Sequence, residues 1–213
     1  MGILGGTFDP VHLAHLRLAR GALEACGLAQ VRFIPSARPP HRGEPGAAAH
    51  HRLRMVELAL QGEPAFVADA RELRREGPSF TVDTVAALRA ELGPRCPLCL
   101  LLGADAFALF ETWKHWRELL DAVHLVVAHR PGHPLEPATP ALAHEFARRR
   151  QDPGTLRLSP AGGIAALALE PLDLSASAVR ARLAAGDRPV HLLPAPVLAY
   201  IESNHLYRRL DAG

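Results

Sequence analysis

Six short apolar runs alternate with stretches of helical spacing, and this alternation limits the fold more than any other feature of the chain. Met1–Leu4, Val31–Ile34, Phe66–Ala68, Leu98–Leu102, Leu125–Val127 and Ala166–Leu169 read as strands buried on both faces, as in a parallel sheet. Helical spacing fills the intervals. A first helix over 11–26 stops at Gly27, and a second over 51–60 places Leu53, Val56 and Leu60 on one side. A third over 81–92 ends at Gly93-Pro94, and a helical stretch carries Trp113 and Trp116. Residues 36–49 hold Pro39-Pro40 and Gly43 and read as a loop, while 130–163 is rich in Pro, Gly and Arg with one helix near 141–150. Helices over 178–185, stopped by Gly186, and over 196–204 close the chain. The expectation is an α/β fold, a doubly wound parallel sheet of five to six strands flanked by helices, with a small helical part over 174–213. In such open sheets ligands bind beyond the carboxyl ends of the strands, where Gly5 and Gly103 both fall.

At 213 residues the chain fits a single domain with a real core, and no internal repeat or linker divides it. The net charge of +2 is too small to indicate nucleic acid as a partner. No apolar run approaches the ~20 residues needed to span a bilayer, so no membrane association is expected. The first residues lack a basic region followed by an apolar core, which predicts a cytoplasmic protein. Nothing in the composition decides the oligomeric state, and a homo-oligomer stays open. Cys26, Cys96 and Cys99 are an odd number, which argues against a disulfide framework. Cys96-Pro-Leu-Cys99 has redox or half-zinc spacing, but it opens an apolar run and reads as structural burial.

Residues 5–15, Gly-Gly-Thr-Phe-Asp-Pro-Val-His-Leu-Ala-His, carry the first chemical signal. The opening strand turns sharply at Gly5-Gly6, and Asp9 is placed to cap a helix with Pro10 at its first position. Residues three apart lie about 60° apart around a helix, so His12 and His15 share a face at the positive end of the helix dipole. Free N–H groups, the dipole and two imidazoles together suit a polyphosphate. Either histidine alone reads as an ordinary surface residue. A zinc site is disfavoured, because no Glu follows in a His-Glu-x-x-His pattern and no Cys lies close in sequence.

Leu174-Ser-Ala-Ser-Ala-Val-Arg180 is the second signal. Ser175 at a helix cap offers a hydroxyl beside free N–H groups, and Arg180 on the first turn adds a fixed cation suited to phosphate. An ordinary capped helix with a solvated Arg is the competing reading.

Together these two segments resemble those of the HxGH nucleotidylyltransferase superfamily, which share a GG-x-FDP-x-H-x-GH stretch and a late ISSTxIR-like stretch. Further segments narrow the resemblance to the bacterial nicotinate-nucleotide adenylyltransferases: Pro39-Pro40-His41-Arg42, Gly77-Pro-Ser-Phe-Thr-Val-Asp-Thr84, Gly103-Ala-Asp105, Thr112-Trp113, Arg130-Pro-Gly132 and the ending from Leu193-Pro194 to Leu206-Tyr207. The likeness covers nearly the whole length and implies a Rossmann-like sheet. Two departures stand out. Ala14 occupies the place of the motif glycine, and the chain starts only two residues before Ile3, which leaves the first strand unusually short.

The resemblance implies transfer of AMP from ATP to nicotinate mononucleotide, giving deamido-NAD and pyrophosphate. It assigns His12, His15 and Arg180 to catalysis, and Gly5, Gly6, Thr7, Phe8, Asp105 and Ser175 with them to ATP. It assigns His41, Arg42, Thr81, Asp105, Trp113 and Arg130 to the nicotinate nucleotide, with Trp113 as the stacking platform and Thr81 reading the carboxylate. Mg²⁺ is implied as cofactor, held by ATP phosphates and water rather than by protein ligands. Pantetheine-phosphate adenylyltransferases and cytidylyltransferases share the His pair but are usually shorter or lack the Trp113 region. An aminoacyl-tRNA synthetase fragment lacks its second signature here, and a regulator that has lost activity does not explain the intact His12, His15, Ser175 and Arg180.

Overall fold

Period-two alternation along each apolar run sends its side chains to both sides of a sheet, and both sides are buried. The computed structural model describes residues 1–38, 43–132, 135–170 and 174–208. All six strands are parallel, in the order β3-β2-β1-β4-β5-β6. They are β1 (Gly2–Gly6), β2 (Val31–Pro35), β3 (Phe66–Ala68), β4 (Cys99–Gly103), β5 (His124–His129) and β6 (Ile164–Ala168). The first strand is longer than expected, because Gly5 and Gly6 stay in the ladder opposite Ile34 and Pro35 before the chain turns.

Two helical layers cover the sheet. On one face Leu4, Phe33, Cys99, Leu101 and Val126 meet buried residues of α1 (Leu13–Ala25), α2 (Ala49–Ala59), α7 (Ala176–Ala184) and α8 (Ala195–Ser203). On the other, Ile3, Ile34, Leu100, Leu102 and Val127 meet α3 (Thr81–Leu92), α4 (Ala104–Ala108), α5 (Trp116–Ala122) and α6 (Pro140–Arg149). The chain leaves β1 toward β2 on one side and reaches β4 on the other, so a crevice opens beyond the carboxyl ends of β1 and β4. Cys26 and Cys99 are buried, and burial pushes their thiols up to about 11 and about 12, as inert core cysteines should be. No helix among the described residues is long and apolar enough to cross a membrane.

Several local expectations are corrected. The first helix starts at Leu13 with His12 as its N-cap, not at Asp9-Pro10. The Asp9–Pro10 peptide is cis, and the Asp9 carboxylate turns away from the helix to bond the loop before α2. On α2 the buried face is Arg52, Met55, Val56 and Ala59, whereas Leu53 is half-exposed. That i, i+3, i+4, i+7 set is a regular helical stripe with a guanidinium in it. Single-turn 3-10 segments at Glu72–Arg74 and Phe110–Thr112, and a longer one at Pro153–Leu158, were not legible as helix.

Arg52 is 1% exposed and ties the loops that shape the crevice. It donates to the carbonyls of Thr7 at 2.7 Å, Ser36 at 2.8 Å and Ala47 at 3.1 Å, with a longer contact to Ala37 at 3.4 Å. Burial lowers its pKa, and the charges of Asp9 and Tyr207 oppose that shift. Arg52→Met keeps the apolar stem but strands at least three carbonyls. The expected loss is about 3 kcal/mol or more of unfolding free energy, read from denaturant midpoints at unchanged slope.

Candidate active site

Three segments converge at the carboxyl end of β1. Phe8 adopts a left-handed backbone with φ 50°, a conformation that costs of order 1–3 kcal/mol for a bulky residue. Its buried ring packs edge-on to His15 at 5.0 Å and against Phe33 at 5.9 Å, which offsets that cost. Gly6 admits this ring closely: a Cβ there would lie 3.4 Å from it. Gly5, by contrast, faces open space.

His12 and His15 do share one face, with rings stacked at 3.7 Å between centroids and 28° between planes. The His12 backbone N–H donates to His15 Nδ1 at 3.2 Å. When His15 is neutral, that bond leaves its hydrogen on Nε2. His12 is 5% exposed, its Nδ1 has no hydrogen-bond partner among the described residues, and burial lowers its pKa to about 4. Near neutral pH His12 is therefore an uncharged ring with one N–H to offer.

Three of the amides expected to be free are engaged. At the start of α1 the His12 amide is used by His15, the Leu13 amide donates to Leu192 at 3.0 Å, and the His15 amide donates to the His12 carbonyl at 3.0 Å.

Arg180 arrives from 171 positions away, donating to the Asp9 main-chain carbonyl at 2.7 Å. It also lies 3.5 Å from Oδ2 of Asp9 and donates to Ser177 Oγ at 3.3 Å. Ser175 caps α7 as expected, its Oγ accepting from the Ala178 amide at 3.1 Å. The Asp9 carboxylate accepts from the Gly46 amide at 2.7 Å, the Ala47 amide at 3.0 Å and the Tyr207 hydroxyl at 2.7 Å. Thr7, Phe8, His12, His15 and Arg180 are thus brought to one place.

Residues assigned to the second nucleotide lie on the other helical layer. Thr81 is the first residue of α3, whose entry is held because Ser79 Oγ accepts from the Ala37 amide at 2.9 Å. Trp113 is half-buried on the edge of that layer, its ring 5.3 Å from Phe110, while Trp116 is in the core. Lys114 sits 4.5 Å over the Phe80 ring, joining the Trp113 segment to the start of α3. Asp105 on α4 and Arg130 just past β5 are exposed at the same end of the sheet. His41 and Arg42 lie outside the described residues.

Residues missed in the sequence include Arg52, Tyr207 and a buried pair beneath α3. Glu72, 7% exposed, accepts from Thr84 Oγ1 at 2.6 Å, and burial raises its pKa against the bonds from Thr84 and Ser79. Only Arg52 left a signal, as a polar member of a regular apolar stripe.

Residues 3–182 match the family model described as cytidylyltransferase-like, and the chain belongs to that family. A relative from Dechloromonas aromatica, named "Probable nicotinate-nucleotide adenylyltransferase", is 47% identical over 98% of this chain and 97% of its own length. One from Pseudomonas putida strain GB-1 with the same name is 47% identical over 98% and 94%. At that similarity the chain's place within the family is among the nicotinate-nucleotide adenylyltransferases. In fold it is similar to the Plasmodium falciparum nicotinic acid mononucleotide adenylyltransferase complexed with NaAD. That likeness has a TM-score of 0.72 at 16% identity, covering 97% of this chain and 96% of the other.

Two buried histidines with lowered pKa values set a stability profile. His12 falls from 6.5 to about 4, and burial also lowers His124, which is wholly buried with Nε2 bonded to the Ser159 carbonyl and Nδ1 to the Gly163 amide. The unfolded chain binds these protons first, so the stability is full above about pH 6.5 and declines as pH falls toward 4. For His12 alone the loss between pH 7.5 and 5.5 is about 1.4 kcal/mol. Denaturant unfolding at the two pH values should show it, and His12→Asn should remove that part of the pH dependence.

Proposed function

We propose that the chain transfers the adenylyl group of ATP to nicotinate mononucleotide, forming deamido-NAD and releasing pyrophosphate. The observation that carries this reading is the bond from Arg180 to the Asp9 carbonyl, which ties it to the turn leading into the His12–His15 stack, in a chain whose relatives carry that name. An oxygen of the nicotinate nucleotide's phosphate attacks the α-phosphorus of ATP. A new P–O bond forms, and the bond from the α-phosphorus to the oxygen bridging it to the β-phosphorus breaks with its electron pair leaving on pyrophosphate. The attacking phosphate is anionic near neutral pH, so no general base is needed, and catalysis is alignment plus charge stabilisation.

His12 and His15 donate N–H groups to the triphosphate as charge builds on it. Arg180 and Ser175 hold the departing pyrophosphate, and Gly5, Gly6, Thr7 and Phe8 line the nucleotide. The α3 entry at Thr81 reads the nicotinate carboxylate, the half-exposed Trp113 ring stacks on the pyridine, and Asp105 accepts from ribose hydroxyls. His41, Arg42 and Arg130 close on the second nucleotide. Nucleotidyltransferases of this kind generally use a divalent metal, and we take it to be Mg²⁺. Both Asp9 oxygens are occupied by internal donors, and no three His, Cys, Asp or Glu among the described residues are grouped to hold an ion. The residues therefore fit a metal carried by phosphate and water, where it would neutralise phosphate charge. Residues 1–213 act as one catalytic unit, and the charged substrates support a cytoplasmic location.

The reading is tested by pyrophosphate release with ATP and a panel of acceptor nucleotides. An ionised acceptor strengthens each hydrogen bond from the α3 entry, so nicotinate mononucleotide should exceed nicotinamide mononucleotide by at least about tenfold in kcat/KM. Equal use of the two would reject the assigned carboxylate site. His15→Ala removes one donor to the transition state and should lower turnover by roughly 10²–10³ with the fold intact. Wild-type turnover in that variant would reject the mechanism.

A further inference from the structure

Tyr207 closes the last described segment and has a backbone φ of 62°, the left-handed region that an aromatic residue rarely adopts. Its hydroxyl crosses 198 positions of sequence to donate to Asp9 Oδ1 at 2.7 Å. Its ring lies against Gly46, where an added Cβ would be 3.3 Å from the Tyr207 ring and 3.4 Å from Cδ of Arg180. The amide of that same Gly46 donates to Asp9 Oδ2. One carboxylate and one glycine therefore join three elements: the turn after β1, the loop before α2, and the guanidinium of α7. A second tie runs from the C-terminal part, where the Leu192 carbonyl takes the Leu13 amide.

We propose that Tyr207 is a positioning residue for nucleotidyl transfer: by occupying Asp9 and packing on Gly46 it fixes the Arg180 guanidinium where the triphosphate sits. The proposal rests on the functional reading above. Arg180 lies 3.5 Å from Asp9 Oδ2 while bonding the Asp9 carbonyl at 2.7 Å. With Tyr207 and two amides satisfying the carboxylate, Arg180 keeps its bonds to the Asp9 carbonyl and Ser177 Oγ, and its side chain stays 35% exposed. Without the phenol, Asp9 Oδ1 retains only the Ala47 amide, and the nearest cation able to replace the lost donor is Arg180 itself. Burial and the Asp9 charge hold the Tyr207 phenol far above the ordinary tyrosine range, so it remains a donor at every working pH.

The test is Tyr207→Phe, which keeps the ring on Gly46 and removes only the hydroxyl. ATP and inorganic pyrophosphate should each bind about tenfold more weakly by calorimetry, from loss of one hydrogen bond to a charged acceptor. The KM for nicotinate mononucleotide should stay within about twofold, a split that general destabilisation does not produce. In an Arg180→Ala background the same change should have no further effect on ATP binding, because the two act as one unit. Wild-type ATP affinity in Tyr207→Phe, equal weakening of both substrates, or additivity with Arg180→Ala would each overturn the proposal. Should Tyr207→Phe fail to fold, Gly46→Ala presses ring and guanidinium stem from the other side and must reproduce the ATP-selective defect. A Gly46→Ala protein with normal ATP binding would overturn the proposal equally. A wild-type chain that binds ATP but releases no pyrophosphate with nicotinate mononucleotide would sink the functional reading alone.

Discussion

The crevice depends on a buried guanidinium. Loops at the carboxyl ends of parallel strands leave the ladder, so their carbonyls must find partners other than neighbouring strands. Filling the crevice with side chains to supply those partners would close it to a ligand. Arg52 solves this from below, because one planar fork carries five donors and reaches the loops after β1 and β2 and the start of α2 together. Ser79 does the complementary service, accepting from the Ala37 and Arg38 amides. The loops around the crevice are thereby shaped before any nucleotide arrives, which is the condition for catalysis by alignment.

Electrostatic design follows from the same packing. Burying His12 beneath its own loop keeps its imidazole neutral, and its stacking on His15 would be unfavourable were both rings charged. In the proposed reaction a polyphosphate meeting these rings would find oriented N–H donors. In the proposed reaction the cation of the site is the Arg180 guanidinium, held on the Asp9 carbonyl. Neutral donors held in place and one permanent charge divide the work between direction and charge compensation.

Much of this was legible in the sequence, and the failures share one cause. Each of the six apolar runs became a strand, because a short run of branched and apolar residues between turn signals is decided locally. Trp113, which the resemblance makes the stacking platform, lies half-buried at the edge of its layer, and Trp116 lies in the core. Asp9 was misread because its local spacing suits a helix cap, whereas its real partners are at positions 46, 47 and 207. Arg52 was missed because Leu53, Val56 and Leu60 make an acceptable stripe, and the competing stripe of Arg52, Met55, Val56 and Ala59 places a charge in the core. The Leu13 amide is taken for the same reason, since its partner Leu192 lies far away in sequence. Contacts across the fold decide which local option is used.

The two helical layers assign the two proposed substrates to opposite sides of the sheet. α1 and α7, which carry the His pair and Arg180, pack on the face with Leu4 and Leu101. α3 and the Trp113 segment pack on the face with Ile3 and Leu100. Neighbouring residues of a strand point to opposite faces, so β1 alone roots both layers through Ile3 and Leu4. Among the described residues, groups from both layers come together over the ends of β1 and β4, where Gly5 and Gly103 present no side chain and open space above them. In the proposed reaction an acceptor phosphate held from the α3 side and an ATP α-phosphate held from the α1 side would meet over these two glycines, where no side chain intervenes.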